Sequence, residues 1–161
     1  MNKIMKKIHI FIWQLLVVCL LSAVAACITP QQTADVQRYE NDKIAQELLA
    51  VLRPTASKVT FEIYELNVTD KYVKSIMIFA KAPIDILNDI NAKGMAIITV
   101  QKTIEFLLDK GKDPYNNSIR IDCYAYGQSR GATGRESKTL FGYAEYNYKN
   151  DAITWQPNPE K

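Results

Sequence analysis

The chain has 161 residues, a size suited to one domain, with 20 basic residues, 17 acidic residues and a formal net charge of +3. That excess is carried by Lys3, Lys6 and Lys7, so from residue 27 onward the charges balance, and nothing argues for binding nucleic acid. The single histidine, His9, lies in the same early segment, so the rest of the chain cannot build a Ser-His-Asp or Cys-His nucleophile or a histidine-bearing zinc site.

Residues 1–26 have three parts: a basic flank with no acid, an apolar run from Ile10 to Leu21, and the small residues Ser22-Ala23-Val24-Ala25-Ala26. This is the layout of a secretory signal peptide. The lysines stay on the cytoplasmic side, the apolar run enters the bilayer, and small residues fit the peptidase. An uncleaved anchor is one competing reading. The run from Ile10 to Ala26 offers about 17 residues against the usual need of about 20, and Gln14 interrupts it.

The segment ends Val24-Ala25-Ala26-Cys27, which resembles the lipobox of bacterial lipoproteins. The resemblance covers the start of the chain and implies a processing route, not a fold. It implies cleavage before Cys27 and lipid on that cysteine. An ordinary cleaved signal followed by an incidental cysteine is the other competing reading. Two or three acyl chains hold firmly, where one chain binds only marginally. Ile28 stands where the inner-membrane retention signal of enteric bacteria has Asp, which implies the periplasmic face of the outer membrane. With Cys19 removed and Cys27 acylated, Cys123 has no partner for an intramolecular disulfide. It is expected to be a small buried residue, with a reactive thiol as the alternative.

Residues 28–34 read as a short polar tether. Asp35 to Leu52 reads as an amphipathic helix, with Val36, Tyr39, Ile44, Leu48, Val51 and Leu52 on one face. Arg53-Pro54 ends it. Val59 to Val68 alternates as a half-buried strand, Asn67 to Asp70 turns, and Tyr72 to Ala80 forms a second strand, so the two pair as a hairpin. Pro83 opens a helical pattern to about Lys110, with Ile97 to Val100 as a competing strand. Gly94 reads there as a weak point or a close approach to a sheet, and Gly111 as the stop. Ser118 to Gln128 and Leu140 to Lys149 alternate as strands, a short strand surrounds Ile153-Thr154-Trp155, and residues 157–161 form a tail. The expected fold is α+β: an antiparallel sheet of four to five strands with two helices on one face, in the order α-β-β-α-β-β(-β), as a single domain over 35–156.

Three groups are candidate sites. The segment from Gly127 to Lys138 combines glycines and hydroxyls with Arg130, Arg135 and Lys138. It reads as a hairpin connection or as a cradle for a small anion. Tyr124 and Tyr126 share a strand face, and Tyr143, Tyr146 and Tyr148 lie on the next strand. Such aromatics either pack across strands or bind a partner or glycan. Asp122 and Glu145 lie on neighbouring strands, and a carboxylate pair is what glycan hydrolysis requires. The expectation is a non-catalytic envelope lipoprotein without cofactor or metal. It is held to the membrane by lipid on Cys27 and binds a protein partner. A binder of glycan or small anion is the alternative, and a carboxylate-based hydrolase ranks last.

Overall fold

A computed structural model describes residues 30–55, 58–130 and 136–160. Cys27 and the expected signal peptide, residues 1–26, lie outside the described residues. The chain divides into two units, Met1–Arg38 and Tyr39–Lys161. The described part of the first is helical from Pro30, with residues 34–38 exposed.

Helix α1 spans Pro30–Leu52, so it begins five residues before the expected start at Asp35 and takes in the end of the expected tether. Proline is well placed in a first helical turn, because its missing N–H has no intrahelical acceptor there. Leu48 and Leu52 are fully buried and Ile44 packs beside them, whereas Val36, Tyr39 and Val51 are exposed, against the expected stripe. A short 3₁₀ turn, Arg53–Thr55, follows.

Strand β1 (Thr60–Asn67) and strand β2 (Lys74–Pro83) pair antiparallel, as the hairpin reading expected. Asp70 builds the turn between them by accepting the backbone N–H groups of Tyr72 and Val73 at 2.6 and 3.1 Å. Pro83 does not open an α-helix. A 3₁₀ turn, Ile84–Ile86, leads to extended Leu87, and Asn88 then caps helix α2 (Asp89–Asp109) by accepting the Asn91 N–H at 2.8 Å. Residues 97–100 are helical, and nothing lies within 4 Å of a Cβ built at Gly94, so that glycine marks no close approach. Lys110 ends the helix and Gly111, at φ 68°, turns the chain out.

Strands β3 (Ile119–Arg130), β4 (Glu136–Asn147) and β5 (Ala152–Pro157) complete a five-stranded sheet in the order β1-β2-β3-β4-β5. The fold is α+β, in the expected element order. The sheet is mostly antiparallel, and β2 and β3 form its parallel pair. The reason is α2, which carries the chain from the end of β2 back to the end where β2 began; a parallel pair needs such a crossover. Both β3 and β4 run further into the 127–138 segment than expected, to Arg130 and from Glu136. The tail is tied down: Asn158 donates its backbone N–H to the Phe141 carbonyl at 2.9 Å and its side chain to the Leu140 carbonyl at 3.1 Å.

The core lies between one sheet face and the helices. Ile76, Ile78 and Ala80 of β2, Ile119, Ile121, Cys123 and Ala125 of β3, and Phe141 and Ala144 of β4 meet Ala92, Ala96, Val100 and Leu107 of α2 and Leu48 and Leu52 of α1. Small residues on the sheet let α2 sit close. The Cys123 thiol is fully buried, and its pKa is pushed up to about 12 by that burial.

Candidate functional site

The period-two geometry of β3 sorts its residues: Ile119, Ile121, Cys123 and Ala125 go under the helices, while Arg120, Asp122, Tyr124, Tyr126 and Gln128 go to the opposite face. Register then sets their neighbours. Phe79 of β2 lies opposite Tyr124, and Tyr143 of β4 lies opposite it on the other side. In β1 the register shifts between Ile63 and Glu65, and the extra residue is Tyr64. A bulge of this kind re-aims a side chain.

The result is a row of rings across β1 to β4. Tyr64 stacks on Phe79 with centroids 5.1 Å apart, Phe79 meets Tyr124 edge-on at 5.8 Å and Tyr126 at 5.4 Å, and Tyr124 stacks on Tyr143 at 5.1 Å. Apart from Tyr64, which is exposed, these rings are half-buried. Among the described residues no helix covers this face. Tyr124, Tyr126 and Tyr143 were thus legible as candidates. Tyr64 and Phe79 join them only in the structure, where Phe79 takes the face of β2 opposite Ile76 and Ile78.

Charged groups flank the row. Lys81 pairs with Glu62, and Ser75 donates to Glu65 at 2.6 Å. On the same flank as Glu65, away from Lys81, Asp122 and Glu145 are direct register partners. They do not face each other bare. The Arg120 Nε lies 2.9 Å from Asp122 and 3.5 Å from Glu145. Asp122 is 4% exposed, and burial holds its carboxyl above the usual range; Arg120 pulls it back down and Glu145 pushes it up. This arrangement stores two negative charges beside one guanidinium.

The remaining candidates separate. Tyr146 belongs to the helix side, buried, with its hydroxyl donating to Asp151 at 2.8 Å; burial and that carboxylate both push its pKa up. Tyr148 packs against the core. Lys138 stands on β4 opposite Gln128, on the open face. Arg130 lines a cleft of about 500 Å³ at the end of the sheet, together with Lys58, Lys81, Asp85, Ser129 and Glu136. Cations and carboxylates are mixed in it: Lys81 pairs with Glu62, Glu136 lies opposite Arg130 in register, and Asp85 stands in the wall. Ser129 and Ser137 share a hydrogen bond of 2.6 Å across the hairpin. Arg135 and Cys27 lie outside the described residues. Among the described residues no group of His, Cys, Asp and Glu is arranged to hold a metal ion, and no helix is long and apolar enough to cross a membrane. No protein-family model matches the chain, and no curated protein matches it in sequence.

Proposed function

We propose that the chain is a non-catalytic lipoprotein of the bacterial envelope, anchored by lipid on Cys27 at the periplasmic face of the outer membrane, which binds a protein partner through the open face of its sheet. The observation that carries this reading is the aromatic row from Tyr64 to Tyr143. Tyrosines combine a large apolar face with a polar tip, which makes them frequent anchors in interfaces that must also be stable in water. The flanking charges are largely paired within the chain, so a partner would meet a rim that is already neutralised. Asp122 and Glu145 serve here to hold Arg120 in place, not to transfer protons.

The test is affinity capture from membranes of the full chain, compared with Tyr124→Ala and Tyr143→Ala, followed by titration of the purified partner. N-terminal mass is determined in parallel. The expected outcome is an acylated Cys27 and a partner whose affinity falls at least ~10-fold in either variant, a loss of ~1.4 kcal/mol, with the fold intact by circular dichroism. Equal affinity for the variants would remove the open face from the reading. Recovery of the protein alone, with binding of peptidoglycan fragments lost in the same variants, would favour the glycan alternative.

A further inference from the structure

We propose that the end of the sheet carrying the 68–73 and 111–118 loops rests in the headgroup layer of the membrane that holds Cys27. This rests on the lipid-anchor reading above and adds to it a second, non-covalent contact with the same bilayer.

The path of the chain identifies the end. The Tyr39–Lys161 unit starts there: Asn41 accepts the Val68 N–H at 3.2 Å, and Glu47 pairs with Lys110, just after α2, at 2.6 Å. Strand β2 starts there too, with Lys74 opposite Ile119 at the head of β3.

Reach makes the choice. Cys27 lies twelve residues before Tyr39, and residues 30–38 are helical. Nine helical residues span about 14 Å, and three further residues can add at most about 10 Å, so the tether reaches no more than about 24 Å. Strand β3 has twelve residues, and at about 3.3 Å per residue it runs about 40 Å from this end to the other. The far end, with Ile84 and Ile86, therefore cannot turn down onto the bilayer that holds the anchor.

The near end has the chemistry for that layer. Tyr72 is 87% exposed, Val73 65% and Tyr115 54%. They are held out by design of the loops: Asp70 accepts from the Tyr72 and Val73 N–H groups, and Asp113 accepts from the Tyr115 N–H at 2.9 Å. Lys71, Lys112 and Lys149 lie in the same end loops. Tyrosine and lysine suit a membrane interface because both have an apolar body and a polar tip. The carboxylates Asp70, Asp113 and Asp151 are there as well, each engaged in a hydrogen bond. Charge is close to balanced, so the contact is with the interface itself and does not require anionic lipid.

The experiment uses the full chain purified from membranes, with N-terminal mass determined, reconstituted in phosphatidylcholine vesicles containing headgroup-level nitroxide lipid. Tyr72→Trp is compared with Ile86→Trp, each measured against the background of Trp155. The expected result is several-fold stronger quenching and bluer emission for Tyr72→Trp, lost when Val73→Asp is added, and little changed by phosphatidylglycerol. Equal quenching of the two variants on an acylated chain overturns the inference and leaves the anchor standing. An N-terminus without acyl groups overturns the anchor reading, and this inference falls with it.

Discussion

Replacing Arg120 with methionine keeps most of the side-chain stem and removes the cation shared by Asp122 and Glu145. Across the 2.9 Å to Asp122, the Coulomb attraction is about 1.4 kcal/mol at the dielectric of water and about 6 kcal/mol at the effective dielectric of a protein surface. Arg120 is 48% exposed and Asp122 only 6% on its side chain. Solvent therefore weakens the pair from one side, while Asp122 would be left buried and unpartnered. A net loss of about 2 kcal/mol at pH 7.5 follows, below the about 3–5 kcal/mol seen when a fully buried pair is broken.

The pH dependence separates this cause from lost packing. In the folded chain burial already raises the Asp122 pKa, and Arg120 opposes the rise. Without Arg120 it climbs further. A carboxyl with a raised folded pKa favours folding below that pKa and loses the benefit as pH rises through it. The deficit of Arg120→Met should therefore shrink on going from pH 7.5 to pH 4.5. Urea unfolding followed by Trp155 fluorescence, in a chain lacking residues 1–26 and so Trp13, reads it directly. The midpoint should drop by about 1 M at pH 7.5 and by less than half as much at pH 4.5. An equal drop at both pH values would refute the electrostatic account.

Gly142→Ala should cost about 2–4 kcal/mol in the same unfolding assay. Gly142 has φ 151°, and a Cβ there would lie 2.4 Å from the Gln156 carbonyl and 2.6 Å from the Trp155 ring. Adding Trp155→Ala, followed by circular dichroism, should not relieve the variant fully, because the backbone contact remains; full relief would show that the ring alone was the obstacle. Cys123 in a Cys27→Ser chain lacking residues 1–26, and so Cys19, should react with an aromatic disulfide only as fast as the domain opens, and addition of urea should accelerate it steeply; prompt reaction in buffer would contradict its burial. Acid should loosen the β1–β2 turn. Backbone N–H groups from Tyr72 and Val73 hold the Asp70 pKa down, so its contribution is present above the ordinary carboxylate range and is lost as pH falls through the folded pKa. Amide exchange at Tyr72 and Val73 should quicken there beyond the intrinsic rate, and unchanged protection would dismiss Asp70 as the clamp.

Local periodicity made much of the fold legible. Ile119, Ile121, Cys123 and Ala125 alternate with Arg120, Asp122, Tyr124 and Tyr126, and that pattern fixes both a strand and its two faces. Boundaries were less legible, because they depend on caps and turns. The stretch after Pro83 carried apolar residues at helical spacing, yet the α-helix waits for Asn88, whose side chain satisfies a free N–H at its start. Val36, Tyr39 and Val51 fitted a helical stripe on paper but are exposed: Val36 and Tyr39 precede the packed turns of α1, and Val51 falls beside the narrow Leu48–Leu52 line that is packed.

By itself, the sequence determined the neutral charge from residue 27 onward, the absence of histidine there, the α+β class and the order of the elements, since each of these is written in composition or short-range pattern. Only the tertiary structure decided which strands are neighbours and in what register. Pairing β2 with β3 in parallel brought Phe79 against Tyr124, and the register of β3 with β4 set Asp122 opposite Glu145 with Arg120 between them. The one-residue bulge in β1 delivered Tyr64 onto Phe79. Side-chain alternation says which face a residue takes, but its neighbour on that face is set by backbone hydrogen bonds to strands distant in the chain, and a shift of one residue there changes every contact.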